Sequence, residues 1–349
     1  MNSDSIFKDI VRGFFGMLFR IIGIGVGIVI FFAIFGALFK TPPTVRPTTV
    51  ATIMPDHNWK QAPFSNTTPT IVEIAIDGVI GMDHLTQSAI RSELIDTIDG
   101  DVKQGQVKGV LLRINTPGGT VEDSDGIYRI LFEYKKRLQV PVYAHVDGFC
   151  ASGGMYIACA ADKIYATEAS LVGHVGVLLP TIFNFSVLMD HLGIASKTIT
   201  AGKNKDALNP FRPWTENEGA SFQYITESMY KTFVDIVSTA RPLLTKESLI
   251  EQGAQIYPVE NALKLGYIDG TVSSIDESLL KLVTDLGIEK EYQVVEMRYK
   301  NWLEDLFDGN QALVPNKMTH ELKLPALFSD KLYGKFLYMY VPEQTTTHD

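Results

Sequence analysis

The sequence has few cysteines, few histidines and no excess of positive charge, and each shortage excludes a class of protein. Two cysteines among 349 residues cannot make a disulfide framework, and no Cys-x-x-Cys or Cys/His array indicates structural zinc. The seven histidines contain no His-Glu-x-x-His motif. With 31 basic against 40 acidic side chains, the formal net charge is −9, which excludes a nucleic-acid binder with a basic face. Charged residues make up only 20% and aromatic residues 10%, which excludes disorder for most of the chain.

A long apolar run is present near the N-terminus. Residues 21–39 lie between Arg20 and Lys40 and include no charged side chain. At about 1.5 Å per residue in a helix, the run nearly crosses the ~30 Å hydrocarbon core of a bilayer. A buried helix would have a polar face, and a cleaved signal peptide would have a shorter apolar region. We therefore predict a transmembrane helix at 21–39, after a cytoplasmic N-terminal segment at 1–20.

The next segment, residues 40–69, is rich in proline and threonine. Prolines at this density prevent a helix and favour a stiff, extended spacer. Beyond the spacer we predict a folded domain at 70–289. Residues 290–349 are less regular and end in a polar tail, which predicts a peripheral C-terminal extension.

The folded domain alternates strand and helix patterns. Strands are predicted at Thr70–Asp77, 107–115, 141–146 and Lys163–Ala166. A helix before the third strand has one apolar face, formed by Ile127, Ile130, Leu131 and Tyr134. A longer helix follows a capping box of Thr215 and Glu218, and its apolar face is predicted to be core: Phe222, Ile225, Met229, Phe233 and Ile236. Stacked βα units of this kind predict an α/β fold with a largely parallel sheet.

Two glycine-rich segments are candidates for chemistry near the carboxyl ends of strands. Residues 115–119 read Asn-Thr-Pro-Gly-Gly, and paired glycines let backbone N–H groups point into a cleft, as an oxyanion hole requires. The alternative for this segment is an ordinary turn. Residues 151–158 read Ala-Ser-Gly-Gly-Met-Tyr-Ile-Ala and place Ser152 at a strand-to-helix turn, where a serine is expected to be exposed. The Gly153 amide is a natural second oxyanion donor, and the alternative for Ser152 is a helix N-cap.

Other residues in the sequence could also carry the chemistry. Cys150 and Cys159 are rival nucleophiles close to Ser152. Residues 202–206 read Gly-Lys-Asn-Lys-Asp. A lysine acts as a general base only where burial or neighbouring charge lowers its pKa, and a loop lysine taken alone is more typically solvated.

Together, these three segments resemble the signal peptide peptidase A family of Ser-Lys proteases, within the ClpP/crotonase superfamily. Residues 115–119 resemble the family's Asn-Ser-Pro-Gly-Gly, and 151–158 resemble its Ala-Ser-Gly-Gly-Tyr-Tyr-Ile-Ala. Residues 202–208 resemble its block of glycine, two variable residues, lysine, and serine or aspartate. The similarity covers about residues 70–272, including 161–166 and 173–177.

The resemblance implies Ser152 as the nucleophile, Lys205 as the general base, and the amides of Gly119 and Gly153 as oxyanion donors. It implies a ClpP/crotonase-like α/β fold and no metal, nucleotide or other cofactor. It also implies a single-pass anchor in the cell (inner) membrane, with the catalytic domain outside the cytoplasm.

The sequence departs from the family at His174. The family usually has Gly-Ser-[Ile/Val]-Gly-Val, whose serine hydrogen-bonds the catalytic lysine, whereas residues 173–177 read Gly-His-Val-Gly-Val. In the related ClpP proteases, a histidine from this region is the base of a Ser-His-Asp triad. His174 therefore replaces the helper serine and orients Lys205, or is itself the base, or indicates an impaired site; we favour the first.

The predicted function is a membrane-anchored serine endopeptidase with a Ser-Lys dyad, which degrades signal-peptide remnants or other membrane-associated peptides. The alternatives are a Ser-His peptidase that uses His174, a catalytically impaired membrane scaffold, and a crotonase-type acyl-CoA enzyme. The family's long forms build the site between two halves, and this chain has one copy of the catalytic domain. We therefore expect a homo-oligomer in which Ser152 of one protomer meets Lys205 of its neighbour.

Overall fold

The computed structural model describes residues 49–299, apart from 62, 66, 100, 101 and 103, together with residues 337–339. The predicted cytoplasmic segment at 1–20 and transmembrane helix at 21–39 lie outside the described residues. Among the residues that are described, no helix combines the length and the hydropathy needed to cross a bilayer.

The described strands form one large sheet and one small sheet. The bounds are β1 (Thr49–Met54), β2 (Thr70–Asp77), β3 (Val107–Thr116), β4 (Gly118–Thr120), β5 (Val142–Ala151), β6 (Lys163–Ala166), β7 (Leu171–Gly173), β8 (Ile256–Pro258), β9 (Gly270–Thr271), β10 (Gln293–Tyr299) and β11 (Leu337–Met339). The large sheet has the order β1-β10-β2-β3-β5-β6-β9, with β7 pairing to β5 and β8 to β7. Within it, the β1–β10 and β7–β8 pairs are antiparallel and the other pairs are parallel. The small sheet is the antiparallel pair of β4 and β11.

Helices cover both faces of the large sheet. The bounds are α1 (Gln87–Asp99), α2 (Val121–Leu138), α3 (Gly153–Ala158), α4 (Ser186–His191), α5 (Ala220–Ala240), α6 (Lys246–Gln252), α7 (Val259–Leu265) and α8 (Ile275–Asp285). Alternate residues of each central strand enter different clusters: Val72 packs in the cluster that includes α1 and α2, while Ile71 packs with Leu282 of α8. Central strands bury apolar residues on both faces because both faces are covered. The predicted α/β fold with a largely parallel sheet is confirmed.

Two segments expected to lie outside the sheet are strands within it. β1 falls inside the predicted spacer, where Thr49–Met54 has no proline and favours a strand. β10 falls inside the predicted peripheral extension, yet it lies between β1 and β2. Its neighbouring residues Val294 and Val295 are buried on opposite faces, so β10 belongs to the core of the sheet.

The predicted buried face is confirmed for α2 but only partly for α5. On α2, Ile127, Ile130, Leu131 and Tyr134 are all buried, as predicted. On α5, Phe233 is buried but Ile225 is 37% exposed. The prediction of a continuous core face on α5 is therefore wrong for the first turns of this helix.

Burial of His145 predicts an acid-sensitive fold. His145 lies on β5 with its ring nitrogen Nδ1 2.9 Å from the Ser278 hydroxyl, and burial lowers its pKa to about 4, although Asp147 and Asp276 oppose the shift and Arg113 adds to it. The unfolded chain, with a histidine pKa near 6.5, binds the proton more readily between these values. Stability should therefore fall as pH falls from about 6.5 to about 4, by up to about 3 kcal/mol from this residue.

Urea unfolding at pH 7 and pH 4 measures this contribution. His145→Asn should lose less stability between the two pH values than the wild type does. His191→Gln, at an exposed position on α4, is the matched control and should behave as the wild type. Equal pH dependence in the wild type and His145→Asn would contradict the assignment.

Candidate active site

Ser152 lies at a sharp turn between β5 and α3. Its backbone has φ 55° and ψ −114°, a conformation that costs a non-glycine residue about 1–3 kcal/mol. Two backbone hydrogen bonds hold it: its N–H donates to the Gly173 carbonyl (2.8 Å), and its carbonyl accepts from the Tyr156 N–H (3.0 Å). Strained strand-to-helix turns of this kind present the serine in α/β hydrolases.

The Ser152 side chain is buried, although the sequence predicted an exposed one. It is 0% exposed, and its hydroxyl has no hydrogen-bond partner among the described residues. Nearby, β11 pairs with β4 at this end of the sheet. A buried hydroxyl without a partner is destabilising and is typical of a group kept for chemistry.

The two predicted oxyanion segments meet beside Ser152. A Cβ atom on Gly118, which has φ +100°, would lie 2.9 Å from the Gly153 amide nitrogen. Ile80 bonds one edge of β4, because its N–H donates to the Gly118 carbonyl (2.9 Å) and its carbonyl accepts from the Thr120 N–H (3.0 Å). Since successive residues of a strand point their N–H and C=O groups to opposite edges, the Gly119 amide is directed to the other edge of β4.

That other edge is occupied by β11, which the sequence did not predict. Tyr338 pairs with Gly119, and a Cβ atom on Gly118 would lie 1.9 Å from the Tyr338 carbonyl oxygen. On its far side, Leu337 exchanges two backbone hydrogen bonds of 3.0 Å with Leu178. The only sequence feature that could have indicated this strand is the short apolar run at 336–341.

His174 is brought next to Ser152 by strand pairing. Ala151 of β5 pairs with Gly173 of β7, and Ser152 and His174 are the residues that follow them. The His174 N–H donates to the Gln255 carbonyl (2.6 Å), and partial burial lowers the pKa of the imidazole. A histidine with a lowered pKa is neutral near pH 7 and can accept a proton or a hydrogen bond.

Lys205 is not bonded to Ser152 or His174 within the described part of the single chain. Its side chain is exposed. The loop that carries it is nevertheless well held. Arg212 bonds Asp206, the next residue, through Nε (2.9 Å) and Glu218 through Nη2 (2.8 Å).

The predicted capping box of Thr215 and Glu218 does not start α5, because the helix begins at Ala220 with Gly219 as its N-cap and no side-chain cap hydrogen bond; Glu218 instead holds this loop. Glu218 accepts from the Thr215 hydroxyl (3.0 Å) and also from the Leu208 N–H (2.7 Å). Hydrogen bonding, first of all from Arg212, lowers the pKa of Glu218 to about 2. The carboxylate is thus ionised under ordinary conditions and fixes the lysine loop against the start of α5.

The rival cysteine nucleophiles do not fit the site. Cys150 and Cys159 are both buried, and neither forms a disulfide. Burial raises the pKa of both thiols, that of Cys159 to about 12. Because the thiolate is the nucleophilic form, neither side chain is reactive near neutral pH.

Comparison with known proteins gives three findings. The family model described as Peptidase family S49 matches residues 134–288. A putative signal peptide peptidase SppA of Enterococcus faecium is 32% identical over 236 residues, which is 66% of this chain and 64% of that protein. The putative protease slr0021 of Synechocystis sp. is 30% identical over 208 residues, 59% of this chain and 72% of that protein. The chain therefore spans slightly less than two thirds of the Enterococcus protein.

A solved structure is also similar in part. ClpP1 from Listeria monocytogenes covers 59% of this chain and 94% of its own length, with a TM-score of 0.38 and 14% sequence identity.

Ser152 and Ser124 offer a matched test of the unpartnered hydroxyl. Ser152→Ala removes a buried hydroxyl that has no partner in the described part of the chain, so the free energy of unfolding should stay the same or rise by about 1 kcal/mol. Ser124 is equally buried, but its hydroxyl donates to the Thr120 carbonyl (2.7 Å). Ser124→Ala should therefore lower the free energy of unfolding by about 1 kcal/mol. Urea unfolding measures both, and equal destabilisation by the two changes would refute the description of Ser152.

Proposed function

Because this chain belongs to peptidase family S49, we propose that it is a membrane-anchored serine endopeptidase with Ser152 as its nucleophile. The observation that carries the proposal is the Ser152 hydroxyl. It is buried without a described partner, on a strained turn beside the amides of Gly119 and Gly153. Strain and an unsatisfied hydroxyl at one residue are costly, and packing alone gives no reason to keep them.

In the proposed reaction, Ser152 Oγ attacks the carbonyl carbon of the scissile peptide bond and gives its proton to a general base. The amides of Gly119 and Gly153 donate hydrogen bonds to the oxyanion that forms. The protonated base then gives the proton to the leaving amine, and water hydrolyses the ester on Ser152. This sequence needs no cofactor.

Lys205 is the base in this proposal and comes from a neighbouring protomer. Its loop belongs to residues 181–225, the outer segment, in which many large apolar side chains are exposed, including Ile199 at 87% and Tyr224 at 73%. Exposed apolar surface of this extent is typical of a protein interface. A second copy of the chain, packed head to tail in a closed ring, would cover the outer segment and bury Lys205.

His174 orients the lysine, and it is also the base of the second candidate, a Ser-His peptidase. That candidate is favoured by the β5–β7 pairing, which places His174 beside Ser152 within one chain. It is also favoured by the lowered pKa of His174, which keeps the imidazole neutral. Lys205 remains our choice because Arg212 and Glu218 hold its loop in a defined conformation.

The substrates that we propose are signal-peptide remnants or other membrane-associated peptides. A transmembrane helix at 21–39 would anchor the catalytic domain at the inner membrane, on the side away from the cytoplasm. Peptides released within the bilayer would then reach the site over a short distance.

Activity-based labelling of the full chain tests the nucleophile and the base together. A fluorophosphonate should form an adduct on Ser152 in the wild type, mapped by mass spectrometry, and none on Ser152→Ala. Lys205→Ala should abolish labelling and peptide turnover. His174→Ser should retain much of both, because serine can also hydrogen-bond the lysine.

Three other outcomes would each favour an alternative. An inactive His174→Ser with an active Lys205→Ala would make the protein a Ser-His peptidase. Turnover that depends on coenzyme A would indicate an acyl-CoA enzyme. Neither labelling nor turnover in a folded chain would indicate a scaffold.

Mixing two inactive variants tests the shared site. Co-expressed Ser152→Ala and Lys205→Ala chains should regain activity, because some sites receive an intact serine from one chain and an intact lysine from the other. At random assembly about one quarter of the sites are intact. If Ser152 and Lys205 of each site came from the same chain, every site in the mixture would lack one of the two, and mixing would restore no activity. No activity from a verified mixed oligomer would therefore refute the shared site.

A further inference from the structure

We propose that Thr116 is a positioning residue of the oxyanion hole. Its hydroxyl fixes the turn that presents the Gly119 amide, and its methyl group sets the spacing between that turn and the helix that presents the Gly153 amide. Thr116 is the last residue of β3 and is completely buried. This inference rests on the proposed function, because it assigns a role within the same reaction.

The first argument is that the Thr116 hydroxyl bonds the turn between β3 and β4 directly. It accepts a hydrogen bond from the Gly118 N–H (3.1 Å) and donates one to the Gly78 carbonyl (2.5 Å). Gly118 has φ +100°, in the region that favours glycine, so its own backbone does not restrict the turn to one conformation. The hydroxyl therefore fixes the first of the two peptide groups that meet at Gly118.

The second peptide group of Gly118 is held through the same hydroxyl, by way of the segment that follows β2. Thr116 anchors that segment at Gly78, and two residues later the Ile80 N–H donates to the Gly118 carbonyl (2.9 Å). In a planar trans peptide the C=O and the following N–H point in opposite directions, so the Gly118 carbonyl sets the direction of the Gly119 amide. Both routes from the hydroxyl thus end at one proposed oxyanion donor.

The second argument is that the Thr116 methyl group contacts the helix that follows the nucleophile. A Cβ atom on Gly154 would lie 2.6 Å from Thr116 Cγ2 and 3.3 Å from the Thr116 carbonyl oxygen. Gly154 is the second residue of α3 and adjoins Gly153, the other proposed donor. Thr116 also pairs with Cys150, two residues before Ser152. One side chain therefore connects the neighbours of both donors.

The consequence for chemistry follows from the geometry that an oxyanion hole demands. Its donors act only within about 2.7–3.1 Å of the position of the oxyanion, and loss of one donor lowers kcat by about 10²- to 10³-fold. Without the Thr116 hydroxyl both amides are still present but less well aligned, so the loss should be smaller. Binding of the ground-state substrate does not need this alignment, so KM should change little.

Two substitutions in the full-length chain separate the hydroxyl from the methyl group. Thr116→Val keeps the shape of the side chain but removes the hydroxyl, so kcat should fall by about 10- to 100-fold with KM within about twofold of the wild type. Thr116→Ser keeps the hydroxyl, so kcat should stay within about threefold of the wild type. Cleavage of a quenched-fluorescent peptide with the apolar sequence of a signal-peptide core measures both.

Thr97→Val is the matched control for stability. Thr97 is also completely buried, and its hydroxyl donates to the Leu94 carbonyl (2.7 Å) and lies 2.7 Å from the Tyr134 hydroxyl. Like Thr116→Val, this change leaves buried partners unsatisfied and should lower the melting temperature. Unlike Thr116→Val, it should leave kcat and KM unchanged, when every variant is assayed below the lowest melting temperature of the set.

A pair of inhibitors reports on the oxyanion hole itself. With a peptide aldehyde, Ser152 Oγ bonds the aldehyde carbon, the serine proton passes to the base, and the former carbonyl oxygen takes the oxyanion position. The matched peptide alcohol binds without forming this bond. In Thr116→Val, the Ki of the aldehyde should rise by the same factor as kcat/KM falls, while the Ki of the alcohol stays within about twofold.

Gly154→Ala tests the contact with the methyl group. The added Cβ atom meets Thr116 Cγ2, so kcat/KM should fall by about 30-fold or more. Thr116→Ser removes that carbon atom, so the double variant should recover to within about fivefold of Thr116→Ser alone. An equal effect of Gly154→Ala in the two backgrounds would overturn the role of the methyl group.

The remaining outcomes separate this inference from the proposed function. A folded Thr116→Val with unchanged kcat would overturn the role of the hydroxyl and leave the protease function standing. The same conclusion would follow if the Ki values of the aldehyde and the alcohol rose equally. No cleavage and no labelling of Ser152 in the wild type would instead refute the proposed function, and this inference with it.

Discussion

The hydrogen bond from the Ser152 N–H to the Gly173 carbonyl is the interaction on which the site depends. It joins the end of β5 to the end of β7 and holds Ser152 at a positive φ that it would not adopt in a free chain. The same pairing sets His174 beside Ser152. Strain at one residue is thus offset by the packing of a buried sheet, and the hydroxyl is held in place without a hydrogen-bond partner among the described residues.

β11 completes the small sheet beside Ser152. Open strand edges attract other strands, and proteins usually cover or shorten them. The edge of β4 that faces β11 carries the Gly119 amide, which is a proposed oxyanion donor. Shortening β4 would therefore remove that donor. Pairing with β11 covers that edge, and the Tyr338 ring packs against the rings of Phe233 and Tyr156.

Local patterns predicted the parts of the molecule that depend on local sequence. The bounds of β2 and β6 and the turn at Ser152 follow from apolar runs and glycines within a few residues. The positions of β1, β10 and β11 could not be predicted in this way, because each pairs with a segment distant in the sequence. The burial of Ser152 is a property of the packed structure that no local pattern specifies. The location of Lys205 relative to Ser152 stays a prediction, since no pattern within one chain specifies contacts between two.

The central position of β10 has a consequence for synthesis of the chain on the ribosome. Gln293 of β10 bonds Thr70 of β2, 223 residues earlier. At about 5–20 residues per second, roughly 10 to 45 seconds pass between translation of the two. Throughout that interval β2 is an apolar strand with one edge open to any other nascent chain. We therefore expect this protein to depend on chaperones during translation more than a protein with the same sheet built from consecutive strands.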